Sequence, residues 1–124
     1  MTDILNSLQL IELAEKFQKS GSCEICSQLN CPGWESMPSS FDRSNLKKIG
    51  TLRSTESEPS LDEFHPNKTN LWSVKAPIAI NFYPYNLCDL YQCTGCSQLF
   101  LRYTEYGGYY EEERIRIVNP DLVT

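Results

Sequence analysis

Cys88-Asp89-Leu90-Tyr91-Gln92-Cys93-Thr94-Gly95-Cys96, followed after Ser97-Gln98 by Leu99-Phe100-Leu101-Arg102-Tyr103-Thr104-Glu105-Tyr106-Gly107-Gly108-Tyr109-Tyr110, is the stretch that decides the fold. Two cysteines separated by two residues in a tight turn can aim both sulfurs at one tetrahedral metal. A second such pair, Cys23-Glu24-Ile25-Cys26, stands far upstream. Zinc in closed structural sites takes four thiolates at about 2.3 Å, and the two pairs supply four. After the downstream pair the pattern predicts a β-hairpin over 98–118, with Gly107-Gly108 at the positive-φ positions of a primed two-residue turn. Such a turn sets Tyr106 opposite Tyr109, Thr104 opposite Glu111, Arg102 opposite Glu113 and Phe100 opposite Ile115. Aromatic, ionic and apolar pairs then face one another, which is the pairing sheets favour.

Outward from this stretch, the 124 residues read as a single domain over 1–124, large enough for a modest core. A helix is expected over about 3–19, N-capped by Thr2 or Asp3. Its rows are Ile4, Leu8 and Ile11, with Leu10, Leu13, Ala14 and Phe17, and Ser20-Gly21 ends it. Zinc knuckles are expected at 23–31 and 88–96. Residues 35–45 are Ser/Pro-rich and read as loop, and Leu46–Arg53 as a strand with Gly50 at a bulge. Ile78, Ile80 and Phe82 alternate as a half-buried strand does, with Pro77 at its start.

The 16 acidic residues outweigh 11 basic ones, for a net charge of −5. Neutralising phosphates requires a clustered basic face, so a nucleic-acid partner is not expected. The local run of Lys47-Lys48 with Arg43 and Arg53 reads as solvated loop. An acidic chain is suited instead to meet a basic protein surface. No charged segment opens onto an apolar run, and no apolar run reaches 18 residues, which predicts a cytoplasmic protein with no membrane partner. In a reducing compartment six cysteines read as metal ligands before disulfides.

One structural Zn²⁺ held by Cys23, Cys26, Cys93 and Cys96 is the economical choice, because each pair is closed by its own short turn. Cys31 and Cys88 are left over and read as small buried hydrophobes. A set in which Cys31, Cys88 or His65 replaces one ligand stays open. Ser27 and Ser97 stand where zinc ribbons commonly place a glycine of positive φ.

Catalysis is not expected. A zinc deaminase needs H-x-E before P-C-x-x-C, and here Asn67 follows His65 where the glutamate belongs and Gln92 replaces the proline. The flanks of the Cys-x-x-Cys pairs lack the βαβ setting of a thioredoxin-like dithiol. A four-thiolate site has no open coordination position. The candidate binding face is instead the hairpin tip, where Tyr103, Glu105, Tyr106, Tyr109, Tyr110 and Glu111 cluster.

Glu63-Phe64-His65-Pro66, Leu71-Trp72-Ser73, Pro77-Ile78-Ala79, Tyr83-Pro84-Tyr85-Asn86, Cys88-Asp89, the Cys93–Cys96 pair and Phe100–Tyr110 together resemble a family of small bacterial Cys-rich, zinc-ribbon-like proteins. The resemblance covers about residues 46–123 and leaves out the N-terminal helix. Members resemble immunity proteins of Rhs and type VI secretion polymorphic toxins. The resemblance implies a cytoplasmic protein that binds and blocks a cognate toxin, and implies no catalytic residues. The expected architecture is thus α+β: an N-terminal helix and a small antiparallel sheet with a C-terminal hairpin, closed by a zinc-ribbon-like knuckle of four cysteines. The competing expectation is a zinc-ribbon adaptor of transcription or translation machinery.

Overall fold

The computed structural model describes residues 5–17, 24–25, 29, 31, 33–38, 40–53, 62–64, 66, 69–70, 72–106 and 111–124. Within them lie one helix, α1 (Ser7–Lys16), and five strands: β1 (Glu35–Ser36), β2 (Leu46–Thr51), β3 (Asp89–Cys93), β4 (Leu99–Tyr106) and β5 (Glu111–Ile117). They form one antiparallel sheet in the order β1-β5-β4-β3-β2. The fold is α+β, as the sequence predicts.

Helix α1 starts later than expected. Asn6 is its N-cap, accepting from the Gln9 amide at 2.8 Å while the Gln9 side chain accepts from the Asn6 amide at 3.0 Å. This reciprocal capping box satisfies two donors that a start at Thr2 or Asp3 would leave to solvent. Leu10 and Ala14 are buried, whereas Leu8, expected on the inner row, is exposed. The Leu5 amide donates to the Thr51 carbonyl at 2.9 Å, tying the helix entry to the end of β2.

Both faces of the sheet are covered, because side chains alternate along each strand. On one face Leu90, Leu99, Leu101 and Tyr103 pack with Leu10 and Ala14 of α1 and with Trp34, Ile78, Tyr85 and Cys88. On the other, Phe100, Ile115, Leu46 and Cys93 pack with Leu29, Cys31, Met37 and Phe41 from the segment leading into β2. That segment is not wholly loop. Glu35–Ser36 pair with β5, and Arg43–Asn45 form a 3-10 turn capped by Asp42, whose carboxylate accepts from the Ser44 amide at 2.9 Å. In β2 the register shifts between Lys48 and Gly50, which places the expected bulge.

Two local expectations are corrected. Ile78–Phe82 is not a strand: Ile78 makes a single parallel bridge to Val123, and the chain then turns, with the Phe82 amide donating to the Ala79 carbonyl at 2.9 Å. The β4–β5 register is also displaced by two residues. Tyr106 stands opposite Glu111, Thr104 opposite Glu113, Arg102 opposite Ile115 and Phe100 opposite Ile117. The expected Gly107-Gly108 turn, with Tyr109 and Tyr110, lies outside the described residues. A slip of two returns every side chain to the same face, so alternation alone accepts either register. The observed one sets Arg114 against Tyr103 and Arg116 against Leu101, where both guanidinium groups meet acceptors.

Candidate functional site

The turn between β3 and β4 is a formed Cys-x-x-Cys knuckle. The Gly95 amide donates to Cys93 Sγ at 3.4 Å, and the Ser97 amide donates to the Cys93 carbonyl at 3.0 Å. Ser97 takes φ 67°, the left-handed value expected of a glycine there. The serine does not prevent the turn; it accommodates the strain. The Thr94 amide donates to the Asn45 carbonyl at 3.0 Å, fastening the knuckle to the turn before β2. The formed turn and the two-residue spacing of Cys93 and Cys96 fit half of a tetrahedral zinc site.

Cys23 and Cys26, the other half of the predicted set, lie outside the described residues, as does His65. Among the described residues no three His, Cys, Asp or Glu side chains gather as a ligand group. Cys31 and Cys88 are occupied elsewhere. Cys31 Sγ donates to the Leu29 carbonyl at 3.4 Å, and Cys88 Sγ to that of Pro84 at 3.3 Å. Burial pushes the Cys31 thiol up to about 12 and the Cys88 thiol well above its ordinary value. Both are neutral thiols packed in apolar surroundings, on opposite faces of the sheet.

The predicted hairpin face divides in the structure. Tyr103 is 5% exposed and packs edge-on against Trp34, with ring centroids 4.8 Å apart. It belongs to the core, so it cannot serve as an open contact. Glu105 is half-buried, and the Tyr83 hydroxyl donates to it. Glu111 is exposed. Tyr106 pairs at the end of β4, and Tyr109 and Tyr110 fall outside the described residues.

The neighbouring carboxylates are heavily engaged. Glu105 and Glu112 stand directly opposite each other, an arrangement that repels. Arg114 relieves it, donating from Nε to Glu112 at 2.9 Å and lying 3.9 Å from Glu105. Hydrogen bonds from Arg114 and Ser36 hold the Glu112 carboxyl below the usual range. Glu113 receives Arg43, whose Nε donates at 2.7 Å, and lies 3.9 Å from Arg102. A cavity of about 420 Å³ opens among Met37, Arg43, Thr104 and Glu111–Glu113.

Arg114 and Arg116 were not singled out from the sequence. Arg116 is fully buried and donates to the Tyr85 hydroxyl and to the carbonyls of Val74 at 3.1 Å and Ala76 at 2.7 Å. The signal was there: in Glu113-Arg114-Ile115-Arg116-Ile117 the isoleucines fill one face, so the arginines must share the other with Leu101 and Tyr103.

No helix among the described residues is long and apolar enough to cross a membrane. No protein-family model matches the chain, and no curated protein or solved structure does.

Proposed function

We propose that this chain is a zinc-stabilised protein-binding module that binds and neutralises a cognate bacterial toxin domain in the cytoplasm. The metal part of the reading is carried by the knuckle: Cys93 receives an N–H from Gly95, and Ser97 holds the left-handed conformation that closes the turn. One zinc, bound by Cys93 and Cys96 with Cys23 and Cys26, would cross-link the segment after α1 to the β3–β4 turn. Its chemistry there is structural, since four thiolates complete the coordination.

The binding part is supported by the net charge of −5 and by the exposed Glu111 at the outer end of β5. Such a surface draws a basic partner. The test has two arms. Elemental analysis of the purified chain is expected to give one zinc per molecule, and a value well below one removes the metal from the reading. Co-expression with the toxin domain encoded beside this chain is expected to restore growth. Growth arrest despite full expression of wild type ends the toxin-neutralising reading.

A further inference from the structure

The sheet face that carries Phe100 and Ile115 is apolar only where the 29–41 segment packs on it. Two residues further along each strand, the same face continues into Lys48 on β2, Asp89 on β3, Arg102 and then Thr104 on β4, and Glu113 on β5. A cavity of about 290 Å³ opens there, lined by Arg53, Leu87, Asp89, Arg102, Tyr103 and Thr104.

The carboxylates near this cavity are already answered. Asp89 Oδ1 accepts from the Thr51 hydroxyl at 2.7 Å, and Asp89 Oδ2 lies 3.4 Å from Lys48 Nζ. Glu113 accepts two N–H groups of Arg43. It comes no nearer than 3.9 Å to Arg102, beyond hydrogen-bond reach. The guanidinium groups are not answered in this way. Arg102 lies over the Tyr91 ring, 4.5 Å from its centroid, and stacking of that kind leaves the N–H edge of the guanidinium open to an acceptor. Its side chain is only 20% exposed, yet among the described residues it makes no hydrogen bond. Arg53 is exposed and its side chain has neither a hydrogen bond nor an ion pair among them. Its backbone is fixed at the cavity, because its amide donates to the Thr51 hydroxyl oxygen at 3.1 Å.

We infer that this cavity binds a small phosphate monoester. With Asp89 set against Lys48 and Glu113 against Arg43, two cations face the cavity uncompensated, although the chain as a whole carries −5. A phosphate monoester brings close to two negative charges and three acceptor oxygens. Arg102, Arg53 and the Thr104 hydroxyl supply donors for those oxygens, and a guanidinium edge fits phosphate through two parallel hydrogen bonds. A single carboxylate would balance only one of the two cations. Leu87 gives the ester's organic group an apolar wall. Pockets for drug-sized ligands begin at about 300 Å³, so that group is small. The inference goes beyond the protein-binding reading and does not depend on it.

The experiment titrates the ¹⁵N-labelled full chain at pH 8 and constant ionic strength with phenyl phosphate, inorganic phosphate and benzoate. Wild type is compared with Arg53→Gln and Lys47→Gln. Both variants remove one positive charge, but Lys47 neighbours Lys48 on β2 and so points to the other face of the sheet. Arg53 makes no side-chain bond among the described residues, so its replacement leaves the fold intact. Phenyl phosphate is expected to bind saturably, with amide shifts centred on Arg53, Asp89 and Arg102–Thr104, and more tightly than inorganic phosphate or benzoate. With unchanged thermal melts, Arg53→Gln is expected to bind it at least about fivefold more weakly, and Lys47→Gln as wild type does. Absence of saturable binding, shifts centred elsewhere, or equal effects of the two substitutions overturns the site. Benzoate binding as tightly as phenyl phosphate overturns the phosphate assignment, and inorganic phosphate doing so overturns the ester.

Discussion

Arg114 and Tyr103 stand directly opposite one another on β5 and β4, and the guanidinium donates to the phenol oxygen at 2.9 Å. The same arginine reaches the two facing carboxylates, Glu105 and Glu112, and lies beside Trp72. One residue thus joins the core to the two facing carboxylates.

Burial raises the Tyr103 hydroxyl to about 12, although Arg114 opposes the shift, against 10 in the unfolded chain. A phenol whose pKa is higher when folded lends stability that is full below pH 10 and is lost as pH rises toward 12. Burial raises Tyr83 and Tyr85 in the same direction. The urea midpoint is therefore expected to fall between pH 10 and pH 12. Tyr103→Phe should make that fall shallower without abolishing it, while costing about 1 kcal/mol at neutral pH through the lost hydrogen bond. An identical pH slope in the variant would count against this assignment.

Arg116 fastens the 74–76 segment from inside the sheet through two carbonyls and the Tyr85 hydroxyl. Arg116→Leu keeps a bulky side chain but leaves those acceptors in an apolar interior. Each unsatisfied buried group costs about 1–3 kcal/mol, so a loss of about 3 kcal/mol or more is expected in chemical denaturation. A loss below about 1 kcal/mol would mean that water replaces the guanidinium.

Gly33→Ala tests the seat of Trp72. The added Cβ would meet the Trp72 carbonyl oxygen at 2.9 Å, and that atom is backbone, which cannot swing aside. Relief requires moving the 72–73 segment, at an expected cost of about 1–3 kcal/mol. Trp72 fluorescence should change with it, since the ring leaves its place beside Arg114. Trp34 follows Gly33 and is buried in the core, so its emission is subtracted with a Trp72→Phe control carrying the same Gly33→Ala change.

The sheet was legible where alternation was strong. Leu99–Tyr106 and Glu111–Ile117 are strands, and Gly50 adjoins the bulge, because period-two patterning and a strand glycine are local signals. The hairpin register was not, because slips of two are invisible to alternation. Nor was the burial of Tyr103: its neighbours Thr104 and Glu105 are polar, and its site is made apolar by residues distant in sequence, among them Trp34, 69 positions earlier by number. Ile78–Phe82 misled for the opposite reason. Its alternation is real, but the turn from Ala79 to Phe82 takes the chain away from any strand it could pair with. At the knuckle the residue spacing predicted the turn, and Ser97 shows that the conformation is imposed by the fold against local preference.

That imposed conformation can be relieved. A non-glycine residue in the left-handed region costs about 1 kcal/mol or more, partly offset by the greater freedom of glycine in the unfolded chain. Ser97→Gly is expected to raise stability by about 0.5–1 kcal/mol in chemical denaturation. Destabilisation instead would mean that the Ser97 side chain contributes more than the strain removes.

The proposed association with a basic partner gives the last expectation. The chain carries a net charge of −5, and Glu111 at the start of β5 is exposed. Long-range attraction is screened over about 10 Å at 0.1 M salt and about 3 Å at 1 M, so the association rate should fall as salt rises. The dissociation rate depends on contacts already formed and should change much less. Glu111→Gln removes an exposed charge and should lower the association rate and its salt dependence. Stopped-flow traces across a salt series check this, and an association rate that does not change with salt in wild type would mean that charge does not steer the encounter.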